Sequence, residues 1–387
     1  MSKIVGIICE YNPFHLGHKY QIDKIREEIK DAKIVAIMSG QTVQRGEFSI
    51  FDKQKRAEIA ISCGIDAVFE IPFPYCTSTA EIFASAGVEV ATKIGCDYLY
   101  FGTEKCDIDY LKNVAKTVNS PEFEELIAEQ VKDKSQSYIV AKEKALKEFG
   151  FDLKMLSNDM LAVEYIRAIN AKKSPLIPRA IKRAGAGYND KNECEIMSAT
   201  AIREYIYNEN KLLSVPNNAK CIYEKAILDG EILDNEKALD FLHKMALVLP
   251  REAFDSAFDS SKEIGAIIKN SALLSKNGAE FISNLSSKAY TSARIKRALF
   301  YAVFGVTNLD KTPKFAFLLG ANKYGRDIIN NVRDDFKIIT KHADSKGLND
   351  TSKEELELTY QIDSIYLSLL KAPKAPENSY KRKPIIK

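Results

Sequence analysis

The sequence has no long hydrophobic run. No segment approaches the ~20 consecutive apolar residues that a membrane-spanning helix needs, which argues against a membrane protein. The apolar run near the N-terminus, Ile4–Cys9, is short and ends at Glu10. It lacks the longer apolar core and the small-residue cleavage site of a signal peptide. We therefore expect a cytoplasmic protein without membrane association.

The cysteines form no metal-binding or redox pattern. There are seven of them, an odd number, and they are scattered along the chain without a CxxC pair. This spacing indicates neither a zinc site nor a redox motif. Several cysteines lie among apolar residues, which predicts reduced thiols in a hydrophobic core.

The net charge is also small. A formal charge of +3 does not by itself imply a polyanionic partner. Basic residues are nevertheless concentrated at Arg294–Arg297 and in the tail Tyr380–Lys387. Because charge runs are usually solvated faces, these segments are compatible with a nucleic-acid partner without requiring one.

Strand and helix signals alternate in the first part of the chain. This order predicts an α/β domain with a Rossmann-like parallel sheet, in which ligands bind beyond the carboxyl ends of the strands. The predicted strands contain apolar runs at Ile4–Cys9, Ile34–Met38, Ala67–Pro72, Tyr98–Gly102 and Ile177–Arg183. The predicted helices lie at His18–Ile29, Phe51–Cys63, Ala80–Ile94, Asp107–Phe149, Leu161–Ala171 and Thr200–Asn208.

The second part of the chain is predicted to be mostly helical. At 387 residues the chain is long enough for two domains. The strand signal fades after about residue 210, and the turn-rich stretch Ser214–Asn218 predicts a boundary between domains at 1–213 and 214–387. Helical periodicity then occurs at Tyr223–Leu228, Lys237–Leu247, Ser292–Phe304 and Lys353–Leu370.

Two of the four histidines stand three residues apart, directly after the first predicted strand. His15 and His18 should share one side of the first helical turn, where free N–H groups and the helix dipole bind phosphate. Gly17 lets a nucleotide approach the backbone because it has no Cβ. The alternative is that the histidines merely cap and pack a loop. The pattern HxGH after a buried strand favours a phosphate site.

These residues resemble the HIGH signature of the nucleotidyltransferase superfamily, which includes class I aminoacyl-tRNA synthetases. Met197–Arg203 resembles the ISSTxxR motif of the same superfamily. The resemblance implies that Ser198 and Thr200 bind phosphate oxygens and that Arg203 faces the departing pyrophosphate. Taken alone, the segment is equally well explained as an amphipathic helix capped by Ser198.

A wider resemblance narrows the family. The stretch Cys9–His18 resembles the EYNPFHNGH opening of bacterial tRNA(Met) cytidine acetate ligases, with Leu16 in place of the usual Asn. Ser157 likewise stands where that family has Pro. Further similar stretches are Met38–Glu47, Phe101–Glu104, Ser157–Leu161, Arg183–Asp190, Arg294–Arg297 and Phe317–Arg326.

This resemblance implies an enzyme that acetylates the wobble cytidine of elongator tRNA(Met), using acetate and ATP. Its catalytic residues would be His15, His18, Ser198, Thr200 and Arg203. Mg²⁺ is expected to arrive on the triphosphate, because the sequence shows no dedicated carboxylate cage. The residues that would contact ATP are Ile8, Cys9, Glu10, Tyr11, Asn12, Pro13, Phe14, His15, Leu16, Gly17, His18, Lys19, Tyr20, Gln21, Gly102, Asn158, Arg183 and Ala184.

Several of these residues also have purely structural explanations. Gly102 could end a strand in a turn, Asn158 could cap a helix, and Arg183 could be surface charge. Arg45 and Glu47, in the loop after the second strand, either touch the acetate or the base, or pair with each other.

The expected RNA partner would present a base from its anticodon loop, since bases of single-stranded loops are the usual targets of RNA-binding proteins. Contacts with the phosphates of the anticodon stem would make binding salt-dependent. The candidates for these contacts are Arg294, Lys296, Arg297, Lys323 and Arg326.

Two other functions use the same motifs. A small-molecule adenylyltransferase needs no RNA, but the long helical half with its basic clusters argues against it. A non-catalytic RNA-binding protein on a retired scaffold would not need His15, His18, Ser198, Thr200 and Arg203, all of which are present.

Overall fold

A central sheet of eight strands organises the fold in the computed structural model, which describes residues 2–130, 138–154, 157–184, 196–310 and 312–387. Residues outside this part include 131–137 of the predicted helical segment, 185–190 of the stretch similar to the ligases, and 194 and 195. The strands of the described part are β1 (Ile4–Cys9), β2 (Lys33–Ser39), β3 (Thr42–Val43), β4 (Glu47–Phe48), β5 (Ala67–Ile71), β6 (Tyr98–Thr103), β7 (Ile177–Lys182), β8 (Phe315–Ala321), β9 (Lys337–Ile339) and β10 (Ile385–Ile386). β3 and β4 form a separate antiparallel hairpin, and the other eight form the central sheet.

Helices cover both faces of the sheet and make up most of the second half. They are α1 (Leu16–Glu28), α2 (Lys53–Ser62), α3 (Ala80–Lys93), α4 (Ile108–Val118), α5 (Pro121–Gln130), α6 (Tyr138–Glu148), α7 (Asn158–Ala171), α8 (Ala199–Glu209), α9 (Asn217–Leu228), α10 (Asn235–Val248), α11 (Arg251–Asp255), α12 (Lys262–Leu274), α13 (Gly278–Asn284), α14 (Ser292–Val303) and α15 (Asp350–Ser368).

The strand order is β10–β8–β5–β2–β1–β6–β7, with β9 also paired to β8. β1 lies parallel to both β2 and β6, in register from Ile4 beside Lys33 to Cys9 beside Met38 on the β2 side. Successive strands move outward from β1 in one direction through β2 and β5, and in the other through β6 and β7. The order therefore reverses between β1 and β6, which opens a crevice at their carboxyl ends.

The burial of β1 explains its continuous apolar sequence. All six of its residues are buried. Because side chains alternate along a strand, Ile4 and Ile8 enter one hydrophobic core, and Val5 and Ile7 enter the other. A helical layer covers each core, and β1 is thereby held rigidly beneath the crevice.

The predicted fold class is confirmed, and each predicted strand of the first part is present. Three strands of the sheet, β8, β9 and β10, were not predicted. Phe315–Ala321, all of it buried, forms β8 and pairs antiparallel with β5. A short apolar run cannot be assigned to a strand or to a buried helix by periodicity alone. In this structure the run is a strand because it pairs with β5, which is distant in the sequence. The division at 213 and 214 stays a prediction.

Most of the described cysteines are buried thiols, as expected. Cys9, Cys63, Cys76 and Cys96 are buried, whereas Cys106 and Cys221 are exposed. Across the part of the chain that the structure describes, no helix is both long and apolar enough to cross a membrane.

Candidate active site

A cavity of about 720 Å³ opens at the carboxyl ends of β1, β6 and β7. It lies where the strand order reverses, the position at which open α/β sheets bind ligands. Its size falls within the ~300–1,000 Å³ typical of small-molecule sites. The sequence motifs around His15 and Ser198 both border it.

The two histidines form a stacked pair at the start of α1. Their ring centroids are 3.8 Å apart and their planes differ by 27°, so the predicted shared side is confirmed. His15 is the N-cap of α1, and its Nδ1 accepts a hydrogen bond from the Gly17 N–H at 3.0 Å. His18 Nδ1 accepts one from the His15 N–H at 3.2 Å. Both side chains therefore do cap the helix, as the alternative explanation held.

This capping determines which nitrogen carries the proton. A ring nitrogen that accepts a hydrogen bond is unprotonated, so each neutral ring carries its proton on Nε2. Burial, together with the charge of Arg183, lowers the pKa of His15 to about 3. Burial, His15 and Arg183 lower the pKa of His18 well below its usual value. Both rings are neutral near pH 7 and both border the cavity. Because Nδ1 of each ring accepts a backbone N–H, Nε2–H is the donor that each ring has left for a ligand.

Gly17 leaves the space that the His15 ring occupies. A Cβ at position 17 would lie 2.9 Å from Cε1 and 3.0 Å from Nδ1 of that ring. Optimal contacts between carbon atoms lie near ~3.5–4.0 Å, so a side chain here would displace the ring from the stack. The absence of a side chain at Gly17 therefore leaves room both for the His15 ring and for a ligand that approaches the backbone.

The second motif opens α8 on the same cavity. Ser198 is the N-cap, and its Oγ accepts a hydrogen bond from the Ala201 N–H at 3.2 Å. Arg203 Nη1 donates to the backbone oxygen of Asn12 at 2.7 Å, and Nη2 donates to Thr200 Oγ1 at 3.2 Å. Ser198 and Arg203 border the cavity. Thr200 does not border it and instead helps to orient Arg203. The fold thus joins two motifs that lie far apart in the chain.

Arg56, which the sequence did not indicate, holds the strand ends beneath the cavity. Its guanidinium is fully buried. Nε donates to the backbone oxygen of Phe51 at 3.0 Å, and Nη1 donates to those of Glu10 at 2.6 Å and Ser39 at 3.1 Å. A single arginine therefore binds the backbone at the ends of β1 and β2. No local pattern marks it, because its partners are carbonyl groups.

The second part of the chain supports the histidine loop. The Tyr223 hydroxyl on α9 accepts a hydrogen bond from the Phe14 N–H at 2.8 Å and donates to the Phe14 carbonyl oxygen at 3.2 Å. The Leu16 N–H donates to the Ser214 carbonyl oxygen at 2.9 Å. The position of the loop therefore depends on residues beyond the Rossmann-like part.

The β3–β4 hairpin forms one wall of the cavity. Glu10 accepts a hydrogen bond from the Gln44 N–H at 2.9 Å. Burial raises the pKa of Glu10, opposed by this hydrogen bond and by nearby arginines that include Arg45. Glu47 instead bonds Lys296 Nζ at 2.8 Å. The suggested pairing of Arg45 with Glu47 is therefore wrong, and Arg45 borders the cavity.

The ends of β6 and β7 supply the opposite wall. Gly102, Arg183 and Ala184 all border the cavity. A Cβ at Gly102 would lie 3.1 Å from Cγ of Arg183, so the glycine makes room for the arginine. Arg183 is not simply surface charge, because its guanidinium influences both histidines.

Asn158 also borders the cavity, at the first position of α7. Its Nδ2 donates to Oε1 of Glu104 at 2.7 Å. Ser157 is the N-cap of this helix, so the capping explanation for Asn158 is wrong. Serine in place of the family's proline is accommodated because its hydroxyl accepts a hydrogen bond from the Met160 N–H at 3.2 Å.

The cavity lining includes most of the residues expected to contact ATP, but not Pro13, Phe14, Leu16 or Lys19. Some additional lining residues lie next to strand ends or to the second motif, and this position in the sequence could have indicated them. Phe83 and Tyr165 are buried residues of α3 and α7, and nothing in the sequence around them indicates a site. The lining residues that were not predicted as site residues are Gln44, Phe83, Phe101, Glu104, Leu161, Tyr165, Ile181, Lys182, Ile196, Met197 and Ala199.

The basic residues expected to contact RNA fall into two groups. Arg294 and Arg297 both pair with Asp259, at 3.1 and 3.3 Å, and Arg297 is buried. Lys296, on the same helix α14, pairs with Glu47 beside the site. These pairs reduce the positive charge that α14 offers to phosphates.

Lys323 and Arg326 lie at the end of the sheet opposite to the cavity, beside the amino end of β5. β8 runs antiparallel to β5, and the Asn322 N–H donates to the carbonyl oxygen of Asp66, which precedes β5. The two basic residues are therefore at the amino end of β5, about 16 Å from its carboxyl end at ~3.3 Å per residue. They are not brought near the cavity, and their contact with RNA stays a prediction.

No group of three or more His, Cys, Asp or Glu side chains within the described ranges is arranged to hold a metal ion. The donor set around the cavity consists instead of neutral imidazoles, helix N-termini and arginines. Such donors suit an anionic ligand that carries several phosphates.

Comparison with known proteins gives a consistent result. The model of the HIGH Nucleotidyl Transferase family matches residues 2–383. A tRNA(Met) cytidine acetate ligase from Clostridium novyi is 33% identical, over 95% of this chain and 96% of its own. One from Caldicellulosiruptor bescii is 31% identical, over 94% of this chain and 93% of its own.

A solved structure is similar over nearly the whole length. The crystal structure of Thermotoga maritima TmcAL bound with alpha-thio ATP has a TM-score of 0.89 and 26% sequence identity, covering 99% of both chains. Its apo form has a TM-score of 0.90. Together with the two motifs that meet at the cavity, these similarities show that the chain belongs to the tRNA(Met) cytidine acetate ligase family of HIGH nucleotidyl transferases.

Proposed function

We propose that this protein activates acetate with ATP and transfers the acetyl group to N4 of the wobble cytidine of elongator tRNA(Met). The observation that carries the proposal is the stacked pair of neutral histidines, which border a 720 Å³ cavity together with Arg203 and have Nε2–H free of the helix cap. The shared name of the relatives supports the choice of substrates. Because the substrate is a tRNA, we propose that the protein acts in the cytoplasm.

In the first step an acetate oxygen attacks the α-phosphorus of ATP, and the bond to pyrophosphate breaks. His15 and His18 donate hydrogen bonds to phosphoryl oxygens as negative charge develops. Ser198, at the N-terminus of α8, and Arg203 bind the β and γ phosphates, as pre-positioned donors do in phosphoryl transfer, and Thr200 orients Arg203 by accepting its Nη2–H. Mg²⁺ carried on the triphosphate would supply further positive charge.

In the second step N4 of cytidine attacks the acetyl carbon, AMP leaves and N4 loses a proton. No protein nucleophile is required, because acetyl-adenylate is already a reactive mixed anhydride. Cys9 borders the cavity, but burial raises its pKa far above the usual range, so the thiol stays protonated. The protein's contribution is to position the reactants and to stabilise charge.

The proposal is tested by AMP formation from labelled ATP, with acetate and tRNA(Met) together and with each omitted. We expect turnover that needs acetate, rises with tRNA(Met), leaves acetylcytidine in the RNA and is lost in His18→Ala. ATP cleavage indifferent to acetate and tRNA would instead favour a small-molecule adenylyltransferase. A retired site would show no thermal stabilisation by ATP.

Gly17→Ala tests whether the space beside Gly17 is needed to hold the His15 ring in its place. We expect the second-order rate constant for ATP in acetate-dependent pyrophosphate exchange to fall roughly 10–100-fold, because the displaced ring loses most of what one preorganised donor contributes. Asp23→Ala, an exposed change on the same helix, should leave it unchanged. A Gly17→Ala enzyme with the wild-type rate constant would show that the ring has room to move.

A further inference from the structure

A second cavity of about 240 Å³ adjoins the active site. Arg203 borders both cavities, so the two cavities meet at this residue. Its remaining walls come from the β3–β4 hairpin and from α8, α10, α13 and α14. The mechanism above assigns it no role.

The smaller cavity combines an apolar wall with one charged pair. Leu242 and Phe48 contribute to the apolar wall. Glu47 and Lys296 border the cavity and pair at 2.8 Å, with 40% and 18% of their side chains exposed. The pair is therefore accessible to a ligand, unlike a fully buried ion pair.

The hairpin is tightly positioned against α14. Gly46 has a φ of +76°, and a Cβ there would lie 2.7 Å from the backbone nitrogen of Arg297. Only a glycine allows this close approach in the left-handed conformation. The contact fixes the backbone beside Glu47 against α14, the helix that carries Lys296.

We propose that the smaller cavity receives the extruded base of the target cytidine, and that Glu47 and Lys296 recognise its edge. This inference rests on the proposed function. Cytosine presents an N4 amino donor beside the N3 and O2 acceptors. The Glu47 carboxylate accepts from N4, and the Lys296 ammonium donates to N3 or O2. Both groups have spare hydrogen-bonding capacity while paired with each other.

This arrangement also selects against uracil. Uracil places a carbonyl oxygen where cytosine has its amino group, so two acceptors would face each other at Glu47. The apolar wall contacts the face of the base, as in other single-strand sites.

The inference is tested with Glu47→Gln and Lys296→Met, using two assays on each enzyme. Acetate-dependent exchange of pyrophosphate into ATP, without RNA, measures activation, and acetylcytidine formed in tRNA(Met) measures transfer. We expect the ratio of transfer to exchange to fall about 10–100-fold in both variants, because Lys296→Met removes a charged donor and Glu47→Gln replaces a charged acceptor by a neutral one. Acetyl-adenylate should accumulate instead.

Glu236→Gln is the matched control, since it makes the same chemical change at an exposed position of α10 and should leave the ratio unchanged. A wild-type ratio in both Glu47→Gln and Lys296→Met would overturn the base site and leave the proposed function intact. Absence of acetate-dependent exchange in the wild-type protein would overturn the proposed function, and the base site with it.

Discussion

Replacing His18 by Asn is expected to slow acetate-dependent pyrophosphate exchange about 10²–10³-fold, with little loss of stability. His18 has two roles at different ring atoms. Nδ1 accepts the His15 N–H, and an Asn oxygen at a similar reach can replace it. Nε2–H is left for a ligand, and Asn has no donor that extends so far. The exchange assay and thermal unfolding measure the two roles separately.

His18→Gln is the matched variant, because its longer amide brings a donor close to the position of Nε2. It should retain more activity than His18→Asn, while its helix cap is weaker by at most ~1–2 kcal/mol. Activity of His18→Asn within about tenfold of the wild type, at unchanged stability, would mean that His18 is only a cap.

Lys53→Met is expected to lower the free energy of unfolding by about 3–5 kcal/mol, the range seen when one partner of a buried pair is removed. Lys53 Nζ lies 2.9 and 2.7 Å from the two carboxylate oxygens of Glu70, and 2.7 Å from Oδ2 of Asp363. All three side chains are at least 98% buried. Without the ammonium, two carboxylates remain together in the core, and Arg382 is a cation left near them. Urea unfolding at pH 8 measures the loss.

The loss in Lys53→Met should be smaller at pH 5 than at pH 8. Burial raises the pKa of Glu70, while the Lys53 ammonium lowers it. Removing the ammonium raises the folded-state pKa further above the unfolded one. Such a carboxyl destabilises the folded state progressively as the pH rises through these two values. A loss that is the same at both pH values would contradict this explanation.

Lys55→Met provides the control two residues away. Lys55 is 28% exposed and lies 3.2 Å from Glu231. Partly exposed pairs of this kind contribute at most ~1 kcal/mol. If both lysine variants lose the same small amount, the buried cluster around Lys53 does not stabilise the fold as argued.

The histidine pair could be predicted from the sequence because its geometry is local. Residues three apart share a helix face, so the shared side of His15 and His18 could be predicted, whereas the stacking of their rings is seen only in the structure. The sequence also predicted helix caps at His15 and Ser198 as alternatives to ligand binding. The structure shows that capping orients His15 and His18, so these explanations do not compete.

Interactions between distant residues could not be predicted in the same way. Glu47 and Lys296 are separated by 249 positions, and nothing near either residue indicates the other. Arg56 binds carbonyl groups, which leave no pattern in a sequence. β8 is a strand because β5 lies beside it, whereas its own residues fit either secondary structure.

The basic tail shows the same limit. Tyr380–Lys387 was compatible with a nucleic-acid partner, yet Arg382 Nη1 lies 3.2 Å from Oδ1 of Asp52, and Ile385–Ile386 forms the edge strand β10. Its charge is therefore partly used within the protein. Whether a charge is free or paired depends on the fold around it.

The sequence by itself determined the five parallel strands β1, β2, β5, β6 and β7, the fold class and the two motifs that supply the proposed phosphate donors. These features follow from apolar periodicity and from spacings within one helical turn, both of which act over a few residues. The tertiary structure alone decided which basic residues face the site, where β8 inserts, and that a second cavity meets the first at Arg203. Those outcomes depend on contacts between segments far apart in the chain, whose partners are chosen only when the whole core packs.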